Sequence, residues 1–229
     1  MRVGWVGLGA MGGPLAARVA RNLRLSVFDL NAAAVQKHVK DNGSTAIDSL
    51  ANLGGGSDVI FLSLPTTKHV ADVCSNLAPM LSPDAIVVDC TSGDPVASKD
   101  VAALLPCKYL DCPVSGGPAG ATAGTVTAMV GGDDVALSRV RDLIATFAKD
   151  IVHLGPVGAG HAVKSVNNLL NVGNLCLASE GLLALRGFGI EPAAALKAIN
   201  TSSGRSLQTQ VRLPAEVLRD LPSPSITFL

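Results

Sequence analysis

One lysine and four asparagines interrupt an otherwise apolar stretch, "GAGHAVKSVNNLLNVGN", from Gly158 to Asn174. The unperturbed lysine ammonium titrates near about 10.4, and an apolar setting lowers that value until the amine can take a proton from a hydroxyl. Neighbouring carboxylates would oppose that shift, whereas Asn167, Asn168 and Asn171 can orient a polar ligand without adding charge. Lys164 is therefore a candidate general base, and in the reverse direction a general acid. Residues four apart on a helix are rotated by only about 40°, so Lys164 and Asn168 share a face. The same residues also fit the solvated stripe of an amphipathic helix, and the stretch by itself leaves both readings open. Glu180 reads as a surface or helix-pairing charge, and His161 as a helix-start residue.

A second chemical signal lies at the start of the chain. In "VGWVGLGAMGGPL" the residues Gly7, Gly9 and Gly12 form GxGxxG directly after a strand pattern and at the mouth of a helix. Gly7 allows a tight turn, Gly9 lets the backbone approach a pyrophosphate, and Gly12 lets the helix pack on the sheet. Leu8, Ala10 and Met11 complete the loop, and the helix N-terminus offers amides and a partial positive charge. The next strand ends in Phe28-Asp29, where a carboxylate accepts hydrogen bonds from a ribose 2′-hydroxyl and repels a 2′-phosphate. No arginine follows at positions 30 to 34, beside Leu30, so NAD is expected as the cofactor, with NADP as the alternative through Lys37 and His38.

Ligands of open α/β sheets bind beyond the carboxyl ends of the strands, which draws in three more loops. "LSLPTT" offers Leu64 and Pro65 to pack on a nicotinamide or its ribose. "DCTSGDP" offers the hydroxyls of Thr91 and Ser92. Both also read as ordinary turns and helix caps. In "DCPVSGGPAGATAG", Ser115, Gly116 and Gly117 present a hydroxyl and uncrowded backbone amides, a nest suited to a carboxylate or else a flexible turn.

The elements that must carry these loops alternate along the chain. Short apolar runs, "RVGWVG", "LSVFDL", "DVIFLSLP", "AIVVDC" and "KYLDCP", are separated by stretches of helical length such as 11–22 and 95–105, the signature of βαβ units and a parallel sheet. Strands at "TVTAMVGG" and "DIVHLG", with a helix over 135–148 between them, extend the sheet. A dinucleotide-binding domain over 1–156 is expected, followed at 157–229 by a helical domain. It opens with one helix over 160–187, roughly 42 Å long, and continues with another from Pro192 to Asn200, while the tail from Ser202 reads as irregular. Composition excludes other classes. Lysine plus arginine equals aspartate plus glutamate at 18 each and aromatics make up 3%, so neither nucleic acid nor anionic membrane is an expected partner. Five scattered cysteines without a CxxC pair point to free thiols in a reducing compartment rather than disulfides or a metal site. No leader or spanning segment is read, and a cytoplasmic location is expected.

Three motifs occur in the order found in the β-hydroxyacid dehydrogenase family, which the chain resembles. "GLGAMGGPL" resembles its cofactor signature, "DCPVSGGPAGA" its substrate signature and "GAGHAVKSVNN" its catalytic signature. The resemblance implies a Rossmann-type doubly wound, mainly parallel sheet followed by an all-α domain. It assigns Ser115, Gly116 and Gly117 to the substrate carboxylate, Lys164 to catalysis and Asn168 to substrate positioning. It favours the proton-carrying reading of Lys164 and NAD-dependent oxidation of a small β-hydroxy acid to its semialdehyde. "NTSSGRS" is most similar to the 3-hydroxyisobutyrate branch, and "DCTSGDP" departs from the usual Ser-Thr order. Alternatives are NADPH-dependent reduction of a semialdehyde, such as tartronate semialdehyde, or of glyoxylate, and a cofactor-binding protein without turnover. Family members continue for several dozen residues past the position of "SITFL", which implies a partial helical domain here. A small-molecule substrate and a homo-oligomer are the expected partners.

Overall fold

The structure, a computed structural model, describes residues 1–217. Its strands are β1 (Val3–Val6), β2 (Leu25–Phe28), β3 (Thr45–Ala46), β4 (Val59–Leu62), β5 (Ile86–Asp89), β6 (Lys108–Asp111), β7 (Val114–Ser115), β8 (Val126–Gly132) and β9 (Ala148–His153). The helices are α1 (Gly12–Ala20), α2 (Ala32–Asn42), α3 (Leu50–Gly56), α4 (Thr67–Leu77), α5 (Ala97–Ala103), α6 (Gly117–Ala123), α7 (Asp134–Ala145), α8 (Ala159–Gly187) and α9 (Pro192–Asn200). The sheet runs β3-β2-β1-β4-β5-β6-β8-β7, with β9 also paired to β8. The first six strands are parallel. β8 is antiparallel to β6 and β7, and β9 is parallel to β8.

Helices on both faces explain why the central strands read as continuous apolar runs rather than alternating ones. Every residue of β1, β4 and β5 is buried. Alternate side chains go to opposite faces: Trp5, Phe61 and Val88 join one core cluster, while Val6, Leu62 and Val87 join the other. Trp5 stacks on Phe61 with ring centroids 5.1 Å apart, and Phe147 meets both rings edge-on. Because β1 pairs with both β2 and β4, the connections leave it in opposite directions. A crevice opens where they diverge, at the strands' carboxyl ends.

The chain divides into two compact units, the first Met1–Ser165 and the second from Val166 onward, so the division falls within α8. In the second unit Leu182, Ala195, Leu196 and Leu213 form a small buried cluster. α8 and α9 follow the apolar periodicity closely, and a left-handed Gly189 (φ 76°) separates them. The region after Ser202, read as irregular, instead contains a wide-turned π-helical segment, Gln208–Val217, anchored by fully buried Leu213. One apolar anchor among polar residues leaves no periodic trace. "LPSPS" and "SITFL" lie outside the described residues. Among the described residues no helix is long and apolar enough to cross a membrane.

Candidate active site

Each glycine of the first loop meets a different constraint. Gly7 has φ 95°, and a side chain there would collide with the Ser63 carbonyl. At Gly12 a Cβ would run into the Gly7 carbonyl, so the helix enters the sheet only with glycine at this contact. Around Gly9 nothing lies within 4 Å of such a Cβ, which leaves the backbone open to a ligand. α1 opens without a side-chain cap, and its N-terminal turn needs acceptors that a pyrophosphate provides. The Trp5 indole donates to the Gly7 carbonyl at 2.8 Å and braces the loop from beneath.

A cleft of about 640 Å³ runs from this loop to the ends of β2 and β4, lined among others by Gly9, Met11, Asp29, Leu30, Leu64 and Pro65. His69, Asp72, Val73 and Asn76 of α4 complete it; their dispersal along a helix gave no motif to read. Asp29 accepts the Leu8 amide at 2.6 Å and the Asn31 amide at 2.7 Å. Its carboxylate thus fixes the glycine loop as well as facing the cleft. Of the two cations that could reach a 2′-phosphate, Lys37 is exposed and paired with Asp41, and His38 is buried. Burial lowers the His38 pKa, offset in part by the Gly13 carbonyl.

Beyond β4 and β5 the loops are tied together. Thr91 is buried, and its hydroxyl accepts the Leu64 amide at 3.1 Å, while Ser92 is exposed. Thr91 thereby acts on Leu64 from below instead of presenting an open hydroxyl to the cleft. Asp89 receives the Thr91 amide (2.9 Å) and the Tyr109 hydroxyl (2.7 Å), and burial raises its pKa. Ser115 is half-buried at the end of β7. Gly116 and Gly117 follow at φ 140° and 64°, a backbone that side-chain-bearing residues rarely adopt, and their exposed amides open α6.

Lys164 stands on α8 just past its first turn and is half-buried; burial alone lowers its pKa. No ion pair to it occurs among the described residues. Asn168, one turn further along α8, is exposed. The start of α8 is held by His161, read from the sequence as a helix-start residue, and by Asp111, to which the spacing assigned no role. Buried Asp111, at the end of β6, receives the amides of Gly158 and His161 at 2.8 Å each. Buried His161 bonds through Nδ1 to Ser98 Oγ (2.6 Å) and through Nε2 to the Thr91 carbonyl (2.9 Å). An acid at a strand's carboxyl end was the only available hint, since its partners lie about 50 residues away. The five cysteines are all free, and burial pushes the Cys74 thiol up to about 12.

A glycine loop at a doubly wound sheet's switch point, an acid at the end of β2 and a desolvated lysine together define a dinucleotide-dependent oxidoreductase. Residues 2–155 match the NAD binding domain of 6-phosphogluconate dehydrogenase, and 158–225 the NAD-binding domain of NADP-dependent 3-hydroxyisobutyrate dehydrogenase. The chain is 35% identical to 2-(hydroxymethyl)glutarate dehydrogenase of Eubacterium barkeri over 93% of its own length and 73% of that protein's. It is 33% identical to the NAD-dependent L-serine dehydrogenase of Pseudomonas aeruginosa, covering 93% and 74% respectively. The Mycobacterium tuberculosis 3-hydroxyisobutyrate dehydrogenase structure with L-serine superposes with a TM-score of 0.90 at 26% identity, over 98% of this chain and 77% of that one. The chain belongs to the β-hydroxyacid dehydrogenase family of NAD(P)-dependent oxidoreductases.

Proposed function

We propose that the protein oxidises a small β-hydroxy acid to its semialdehyde with NAD, and that Lys164 takes the hydroxyl proton. The observation that carries this reading is the lysine itself, half-buried, without an ion pair and lowered in pKa by desolvation alone. Bound NAD supplies the hydride acceptor. Ser115 and the amides of Gly116 and Gly117 hold the substrate carboxylate, and Asn168 orients the hydroxyl toward Lys164. Leu64 and Pro65 pack against the cofactor's nicotinamide half, with Thr91 setting Leu64 and Ser92 reaching the cofactor from the loop above.

The substrates in the relatives' names share one chemical unit. 3-Hydroxyisobutyrate, serine and 2-(hydroxymethyl)glutarate each carry a hydroxymethyl group on the carbon next to a carboxylate. We take that unit as the substrate class of this chain. Asp29 and the ion-paired Lys37 favour NAD over NADP, so NADPH-driven reduction of a semialdehyde or glyoxylate is the second reading. Free thiols fit a cytoplasmic location, and copies of the chain associate through the helical part.

The test follows NADH formation with a panel of 2-substituted 3-hydroxypropionates, for this chain and for Lys164→Ala. Turnover that disappears in the variant while NADH binding persists is the expected result. Equal turnover in both would remove Lys164 as the base, and cofactor binding without any turnover would leave a binding protein. Parallel assays at subsaturating NAD and NADP test the role of Asp29, which a clear NADP preference refutes.

A further inference from the structure

The proton acceptor and the loop beneath the cofactor must keep a fixed separation for hydride and proton to leave the same substrate carbinol. A shift of 1 Å in such a pair can cost on the order of 10²-fold in rate. Lys164 and Leu64 lie a hundred residues apart, yet a short chain of hydrogen bonds links the Leu64 backbone to the first turn of α8. The Leu64 amide donates to the Thr91 hydroxyl, and the Thr91 carbonyl receives His161 Nε2. His161 sits one helical turn before Lys164. Nε2 donates to the Thr91 carbonyl, which leaves Nδ1 of the neutral ring as the acceptor for the Ser98 hydroxyl at 2.6 Å.

We propose that His161 is a positioning residue: it ties the start of α8 to the loops after β4 and β5 and so sets Lys164 against the bound cofactor. The surroundings are built around the imidazole. His161 is fully buried, and a Cβ on Gly93 would come within 2.7 Å of its Cε1. Asp111 takes the amides of Gly158 and His161, so the first turn cannot slide along its axis without orphaning a buried carboxylate. Gly160 packs so closely on the Met129 and Asp111 carbonyls that a side chain would not fit. The two ring nitrogens reach two different pieces of the chain, the Thr91 carbonyl in the loop after β5 and the Ser98 hydroxyl on α5, so the imidazole fixes the start of α8 to both.

This inference rests on Lys164 as the base, and its test reads the lysine directly. Lys164 in the full chain is reductively methylated with formaldehyde and borohydride across a pH series, and the modified peptide is quantified by mass spectrometry. NADH affinity and turnover are measured beside it. His161→Leu is expected to move the Lys164 labelling midpoint up toward that of an exposed lysine and to lower kcat by at least about tenfold, with NADH affinity unchanged. His161→Gln, whose amide still donates to the Thr91 carbonyl, is expected to retain most of both properties. If folded His161→Leu keeps the wild-type midpoint and kcat, the proposal is overturned. Should that variant fail to fold, Ser98→Ala removes one partner of the imidazole and is expected to give a smaller shift in the same direction; no shift overturns it. Full turnover in Lys164→Ala would sink the base assignment alone, because the labelling midpoint still reports whether His161 sets the lysine.

Discussion

An amine that must lose its proton to work is held where its charge is poorly solvated. Burial disfavours the ammonium of Lys164, and no carboxylate compensates. Oxidation should therefore speed up as pH rises through a Lys164 titration that lies below the ordinary lysine range. Reduction of the semialdehyde, which needs the ammonium, should slow over the same interval. The sign for stability follows from linkage. Between the folded and unfolded pKa values the unfolded chain binds more protons, so stability rises with pH across that window. Lys164→Met is accordingly expected to raise Tm at pH 7 while lowering kcat by on the order of 10²- to 10⁴-fold. Its Tm advantage should shrink toward the pH at which an unfolded lysine is itself neutral. Thermal melts at several pH values check this; a Tm at pH 7 below that of the wild type would contradict the desolvation argument.

At the scale of elements, the glycine loop separates two properties that usually change together. Gly12→Ala forces a methyl against the Gly7 carbonyl, and overpacking of this kind costs roughly 1–3 kcal/mol. Gly9→Ala meets nothing in the protein. It should melt like the wild type yet bind NADH at least about tenfold more weakly, since only the ligand's space is taken. Melting curves with fluorescence titrations distinguish the two, and equal destabilisation by both substitutions would reject the division of labour. The loop was legible because its glycines, strand and helix are contiguous, and α8 because its apolar pattern is long. β3 and β7, each of two residues, are too short to leave a period. The clasp among Asp111, His161 and Thr91 is illegible for a different reason: hydrogen bonds between distant strand ends carry no spacing, and nothing in "DCTSGDP" shows that the Thr91 hydroxyl accepts the Leu64 amide.

At the scale of the whole molecule, the helical unit leaves much apolar surface uncovered. Val166, Leu170 and Leu177 fall within about 40° of one another around α8, and they are 56%, 58% and 71% exposed. Exposed apolar residues aligned along one helix face offer a surface on which a second helix can pack. Covering one such leucine contributes about 1.5–3 kcal/mol, and a self-complementary helix face covers it twice in a two-fold pair. Sedimentation equilibrium over a wide concentration range is therefore expected to show reversible association of this chain. Leu170→Lys combined with Leu177→Lys should shift it to the monomer. Neither residue belongs to the Leu182–Leu196–Leu213 cluster, and the glycine loop lies in the other unit, so the double variant should keep its fold and its NADH affinity. A wild-type chain that sediments as a monomer at every concentration would refute association through α8, without bearing on the chemistry assigned to Lys164.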